Sequence, residues 1–464
     1  MKRVILFEHG RLCRWARAGS PPADTPREAF LGARLYERLR RFDRLQERHG
    51  ESVFTWYADS ARAGQWVGVV QLPGLQVEVL PKVDSDSSEE GPAVRGARGN
   101  LLYMLALAGG VPFRVRDVAR LASRSAPISE MLAALFAQRL LRELLRGTVR
   151  SYQWREENLR RFKGKLLVKH QSARNPGRRE RFVCRYEEFS ADTPMNRAFK
   201  AACRLLLDVS CTPSTQDTLR HCLLVLDPVE HKLPSTEELR RVVVDRRNAR
   251  FEDVFQFCQL VLEGLTPIVE TGGRRSFSLL FDMNKVFEGF VATFLRQIVV
   301  PRIEGCRLLA QARTDRRHLL RSESGHRLLL LRPDLLLVRR DLERLVVDTK
   351  WKRTEKGPGL GGISASDLYQ LHAYTHRYGC QCSVLLFPAT SDSKSRDLEI
   401  LDETGRRSGR QVLVGFADVR HNLGDRIVRE QLADALEALV RRGLGLGAEG
   451  RVPEAQGIVA RESA

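Results

Sequence analysis

The chain of 464 residues is 43% hydrophobic and carries 77 Lys and Arg against 57 Asp and Glu, a formal charge of +20. That size allows sizeable cores in about three domains, and the positive excess attracts polyanions, of which nucleic acid is the commonest in a cell. No run approaches the roughly 20 apolar residues of a membrane span, and the N-terminal run VILF, followed at once by Glu8 and His9, is too short for a signal peptide.

An Arg-rich compositional bias with solvated charge is the plainer account of the charge. The nine cysteines (13, 184, 203, 211, 222, 258, 306, 380 and 382) form no paired CxxC framework. They read as reduced thiols, many of them buried, in a cytoplasmic protein. Cys380 and Cys382 would need two further ligands to hold zinc.

In chain order, residues 1–82 alternate short apolar runs with Gly and Pro, and period-two runs such as Gln76–Val79 predict strands. Residues 83–99, VDSDSSEEGPAVRGARG, read as a mobile loop, with Asn100 capping the helix that follows. Together, residues 1–99 read as a β-rich region. Residues 100–265 read as a helical middle region. Within it, 129–147 is an amphipathic helix that Ser129 can cap and Gly147 can end. The basic run 172–181 reads as a loop, and helices are expected over 196–209, 218–226 and 251–265. Residues 266–445 form a third region: a helix from Asp282 to Val299, strands in HRLLLLRPDLLLV, ERLVVDTKW and CSVLLFP, a helix in SASDLYQLHAYTHRYG, and a helix near 430–442. The tail, 446–464, reads as flexible. The fold class is mixed α/β.

Hydrolysis of a phosphodiester needs a metal clamp on the phosphate and an activated water. Hard carboxylate ligands suit magnesium. Asp334 interrupts an apolar run just after Pro333, where a carboxylate is costly unless paired or metal-bound. Asp348 ends the next apolar run, and Lys350 lies two residues further on. On a strand those two share a face, about 6.6 Å apart. A hairpin between the two strands would bring Asp334 to them. The plainer reading is a partly buried ion pair, with Pro333-Asp334 a bulge. Downstream, Gln370 and Tyr374 share a helix face; Gln370 could bond a water or a phosphate oxygen, and Tyr374 could support the site. Upstream, Glu288 is a further carboxylate on a helix.

These residues resemble the PD-(D/E)XK nuclease fold and, more narrowly, the McrC family, the nuclease subunits of McrBC-type modification-dependent restriction systems. The segments that carry the resemblance are FDMNKVFEGFV, RPDLLLV, LVVDTKWKR and DLYQLHAY, preceded by FEHGRL, LQVEVLPKV, NLLYMLALAGG, ENLRRFKGKLLV and RYEEFSADTPMNRAFKAA. The ordered set covers about residues 1–390. The resemblance implies Asp334 and Asp348 as metal ligands and Lys350 as the group that orients or activates the water. Glu288 would be the acid of the first core helix, and Gln370 would sit on the helix behind the site. It implies Mg2+ or Mn2+ as cofactor and DNA of the 5-methylcytosine type as substrate. A McrB-like AAA+ GTPase would be the partner in a hetero-oligomer, docked on residues 1 to about 265 and stimulated in its GTP hydrolysis. The 83–99 loop would be a candidate for insertion into the partner ring. The chain has no G-K-[ST] and so no P-loop of its own. Two alternatives stand beside the nuclease subunit: a non-catalytic adaptor that binds DNA or the motor and keeps a relic core, and a stand-alone nuclease. The intact Asp334, Asp348 and Lys350 set argues against the first, and the long N-terminal half against the second.

Overall fold

The computed structural model describes all residues except 16–19, 48–51, 83–89, 123–125, 270–274, 313, 355–359, 392 and 447–464. The tail and the first part of the 83–99 stretch therefore lie outside the described residues. The fold is mixed α/β, and the chain makes two compact units. One is formed by Met1–Gly68, Gly74–Ser125 and Leu280–Ala464, the other by Val69–Pro73 and Ala126–Leu279. Among the described residues no helix is long and apolar enough to cross a membrane.

The first unit is organised around a six-stranded sheet in the order Cys306–Ala310, Leu335–Arg339, Glu343–Thr349, Cys382–Pro388, Arg407–Ala417, Arg396–Leu401. The first three strands pair antiparallel. Glu343–Thr349 and Cys382–Pro388 pair parallel, as do Cys382–Pro388 and Arg407–Ala417. A parallel pair cannot be closed by a tight turn and needs a crossover. The helix Ala365–Tyr378 supplies it. Ser364 caps this helix by accepting from Asp367 N at 3.2 Å, and Gly379 ends it. Its Leu371, Tyr374 and Tyr378 are buried against Leu336, Val338, Val346, Leu385 and Phe387. Strand alternation puts Leu335, Leu337, Leu345 and Val347 on the opposite face, where they are equally buried. Both faces are thus covered, which is why these strands read as near-continuous apolar runs. The final hairpin, Arg396–Leu401 with Arg407–Ala417, was not expected. Its outer strand is largely exposed, with the alternating Leu398 and Ile400 partly buried against the core.

In the same unit, Lys2–Phe7 pairs parallel with Leu75–Leu80, the strand read from the Gln76–Val79 alternation. A helix at Ala33–Glu47 interrupts the β-rich stretch. The 83–99 loop is corrected from Glu90 onward, because residues Glu90–Ala108 are one helix. Pro92 falls in its first turn, where proline is tolerated. The buried pair Arg98–Glu78 anchors it to the Leu75–Leu80 strand. Asn100 consequently lies inside this helix and is not its cap. Its buried side chain donates to Val419 O and His421 O at 2.8 and 2.9 Å and accepts from Leu423 N at 3.0 Å.

The second unit packs the helices Ile128–Leu145, Pro194–Val209, Pro213–Val225 and Glu252–Glu263 beside a long hairpin, Ser151–Leu159 with Phe182–Ser190. Phe136 stacks on Phe257 and Phe199 on Phe251 in its core. Ser129 does not cap its helix: the cap position is Pro127, and Ser129 is buried in the first turn. Gly147 follows the last turn as expected. The segment read as a loop, 172–181, begins in a helix, Val168–Arg174. Gln171 holds this helix to the hairpin, donating to Arg181 O and accepting from Val183 N at 2.7 Å each. The nine cysteines are all free thiols. Burial pushes the Cys380 and Cys382 thiols up to about 11.

Candidate active site

Pro333 breaks the apolar run between Arg327–Leu331 and Leu335–Arg339, and Asp334 immediately precedes the second of these strands. The strand Leu335–Arg339 pairs with Glu343–Thr349 with Leu335 opposite Val347. One residue further along that register, Asp334 comes opposite Asp348 at the open end of the hairpin. Asp334, Leu336, Val346, Asp348 and Lys350 share one face by alternation, the face covered by the helix Ala365–Tyr378. Lys350 N donates to Leu386 O at 2.9 Å, which extends the parallel ladder to this residue. The hairpin anticipated from the spacing thus brings both acids and the lysine to one end of the sheet.

Asp334 Oδ2 accepts from Thr349 N and Thr349 Oγ1, each at 2.8 Å. Asp348 is 2% exposed, with Lys350 Nζ at 2.8 Å from its Oδ2. Burial, reinforced by the charge of Asp334 and opposed by Lys350, pushes the Asp348 carboxyl up to about 6. Lys350 itself is raised. Burial alone would lower it, but Asp348, Asp334 and Asp367 together outweigh that. At neutral pH Lys350 is an ammonium.

Glu288 lies on the helix Met283–Phe294, whose cap is Asp282, accepting from Asn284 N at 3.0 Å. Burial and then Asp334 raise the Glu288 carboxyl, and Gln311 Nε2 donates to it at 3.2 Å. Gln311 N in turn donates to Asp334 O at 2.7 Å, so one residue links the two acids. Gln370 lies on the crossover helix, with its Oε1 3.5 Å from Lys350 Nζ. Gln370 Nε2 donates to Tyr374 Oη at 2.9 Å, and Tyr374 donates to Arg332 O at 3.1 Å. The i, i+4 pair is therefore a chain from Lys350 to the backbone beside Asp334. Tyr374→Phe is expected to cost about 1 kcal/mol by removing that buried link, read as a lowered denaturation midpoint. An unchanged midpoint would show that the link carries no stability.

All five site residues read from the sequence stand around this end of the sheet. The structure adds Thr349, Gln311 and Asp367. Asp367 is buried in the first turn of the crossover helix, 3.8 Å from Lys350 Nζ and 3.0 Å from Lys352 Nζ. Its only sequence signal was the Ser364-x-x-Asp367 spacing, which reads as a helix start.

Glu288, Asp334 and Asp348 are hard oxygen donors, and Asp334 opposes ionisation of the other two. A divalent cation would relieve that repulsion, and this donor set fits magnesium or manganese. Among the described residues no three acid, His or Cys side chains are drawn together to hold an ion by themselves. A cation here would thus take one or two carboxylates and complete its shell with water and phosphate, as magnesium commonly does.

The model of the family described as McrBC 5-methylcytosine restriction system component matches residues 61–388. Among solved structures, a chain of the refined half-complex from the tetradecameric assembly of Thermococcus gammatolerans McrB AAA+ hexamers with bound McrC has a similar fold. It covers 94% of this chain and 100% of that chain, with a TM-score of 0.67 and 20% identity. A chain of the cryo-EM structure of the Thermococcus gammatolerans McrBC complex covers 64% of this chain and 88% of that one, at 22% identity and a TM-score of 0.46. No curated protein matches.

Proposed function

Because the chain belongs to the McrBC 5-methylcytosine restriction system component family, we propose that it is the DNA endonuclease subunit of such a system. The observation that carries this reading is the convergence of Asp334, Asp348 and Lys350 at the open end of one hairpin, with Glu288 and Gln370 beside them. Asp334 and Asp348 would hold Mg2+ or Mn2+. Such a cation, when bound, polarises the phosphoryl oxygen and lowers the pKa of a bound water.

The remaining roles fall to the chain's own groups. Lys350 stays protonated, so it donates a hydrogen bond to the attacking water or to a phosphate oxygen and does not accept a proton. Gln370 and Asp367 fix the direction of its ammonium. Gln311 holds Glu288 beside Asp334, where it can orient water. The partner in this reading is a McrB-like AAA+ GTPase; the structure of similar fold is of McrB AAA+ hexamers with bound McrC. The substrate is DNA carrying a 5-methylcytosine-type modification, as the family description indicates, and the compartment is the cytoplasm. The test is cleavage of methylated plasmid DNA by the full chain with GTP, Mg2+ and such a partner. No cleavage under these conditions, or cleavage that survives chelation of the metal, would overturn the reading.

The acid pair also sets a pH dependence. Asp348 is held up to about 6 from its ordinary value of 3.8. Between those values the folded protein keeps a proton that the unfolded chain has released, so stability falls as pH rises through that window. Urea unfolding at pH 4.5 and pH 7 without divalent cation should show this decline, and Asp348→Asn should make it shallower, the remainder coming from other raised carboxyls such as Glu8. Above pH 6, Mg2+ should raise the midpoint of the natural chain by mass action and leave the variant unmoved. An equal response of both proteins to Mg2+ would exclude Asp348 as a ligand.

A further inference from the structure

One buried polar cluster beside this site has no role in the scheme above. Glu8 follows the strand Lys2–Phe7 and is 4% exposed. The turn that places it is tight. His9 has φ 65°, Gly10 N donates to Phe7 O at 2.8 Å, and a Cβ at Gly10 would sit 2.8 Å from that same oxygen. Glu8 Oε2 accepts from Trp351 Nε1 at 2.8 Å and from Lys82 N at 3.1 Å. Lys82 Nζ reaches Trp351 O at 3.4 Å, and Arg353 donates to Lys82 O. The Trp351 ring packs on Phe287, with centroids 5.3 Å apart. Trp351 is the residue after Lys350, and Phe287 is the residue before Glu288.

We propose that Glu8 and Trp351 are positioning residues: the indole, pinned by the Glu8 carboxylate, sets where the Lys350 and Glu288 segments stand relative to each other. The proposal rests on the nuclease reading of the same site. Trp351 follows Lys350 and packs on the residue before Glu288, and its indole N–H is held by a carboxylate over 340 residues away in sequence. The anchor is costly. Burial pushes Glu8 up to about 7, and its Oε1 has no hydrogen-bond partner among the described residues. Packing alone would be served as well by an apolar side chain. A costly polar anchor behind a site is what orientation of its groups requires.

The test is a double-mutant cycle on the full chain with its GTPase partner, at saturating DNA and Mg2+. Trp351→Phe keeps the ring on Phe287 and removes the donor; Glu8→Ala removes the acceptor; Glu8→Gln keeps an acceptor of the same shape. Trp351→Phe and Glu8→Ala should each lower kcat by about 10- to 100-fold with KM unchanged. The double variant should be no slower than the worse single one, and Glu8→Gln should restore most of the rate. Melting curves on the same samples separate this from unfolding, since Trp351→Phe is expected to stay folded. Wild-type kcat in folded Trp351→Phe, or independent multiplicative losses in the double variant, would overturn the brace. If the natural chain and Asp348→Ala cut equally, or neither cuts, the nuclease reading fails instead.

Discussion

Asp348→Ala is expected to abolish DNA cleavage while leaving stimulation of the partner GTPase intact. Asp348 is the most buried acid of the site, its Oδ2 lies 2.8 Å from Lys350 Nζ, and its register position faces Asp334. Removing it takes away one proposed cation ligand and the main counter-charge of Lys350 together. The loss should reach at least about three orders of magnitude in rate, or about 4 kcal/mol at the transition state. Alanine fits the space and replaces a group whose ionisation burial opposes, so the fold should survive. Single-turnover cleavage and GTP hydrolysis measured on the same complex check both halves. Cleavage at the wild-type rate would remove Asp348 from the site. A parallel loss of GTPase stimulation would mean that the variant has damaged docking rather than chemistry.

Excising residues 126–263, with a short Gly/Ser linker in their place and the strands Leu265–Val269 and Arg275–Asp282 left whole, is expected to uncouple the chain from its partner. The resemblance assigns docking to residues 1 to about 265. Removing that whole stretch would be an unclean test, because residues up to 125 pack in the same compact unit as the candidate site. Asn100 bonds the backbone at Val419, His421 and Leu423, and Trp351 is held by Glu8. The second unit is a discrete target with its own helical core, and its hairpin leaves Tyr152, Trp154 and Phe189 exposed. Exposed aromatics of this kind are enriched at protein interfaces. Affinity for the GTPase should fall at least about a hundredfold, about 2.8 kcal/mol, while the remaining unit keeps a cooperative melt. Co-purification of the excised chain with the partner at natural affinity would place docking elsewhere.

The half that carries the candidate site was legible because its signals are local. Two apolar runs broken by Asp334 and ended by Asp348 announce a hairpin, and strand alternation then dictates that Asp348 and Lys350 share a face. The crossover helix was read from the segment SASDLYQLHAYTHRYG, and the structure shows Ser364 and Gly379 at its ends. Other stretches were read less well for equally local reasons. In 83–99, Gly, Ser and Pro suggested a loop, yet the part from Glu90 is a helix whose Arg98 pairs with Glu78. Propensity is a weak prior that a buried tertiary contact overrides. The Ser129 and Asn100 caps failed in the same way: each has the right residue type for a cap, but lies inside a helix whose boundary packing has set.

The residues by themselves determined that two acids and a lysine interrupt paired apolar strands, with an acid-bearing helix before them and a Gln–Tyr helix after. That pattern is covalent spacing plus the two-residue period of a strand, and it needs no distant contact. Only the tertiary structure decided that Gln311 ties Glu288 to Asp334, that Asp367 joins Lys350, and that Glu8 reaches across the sequence to hold Trp351. Each of these is a contact between segments whose separation along the chain says nothing about their separation in space. Burial chose among them, because a polar group taken out of water must find a partner wherever the packed chain presents one.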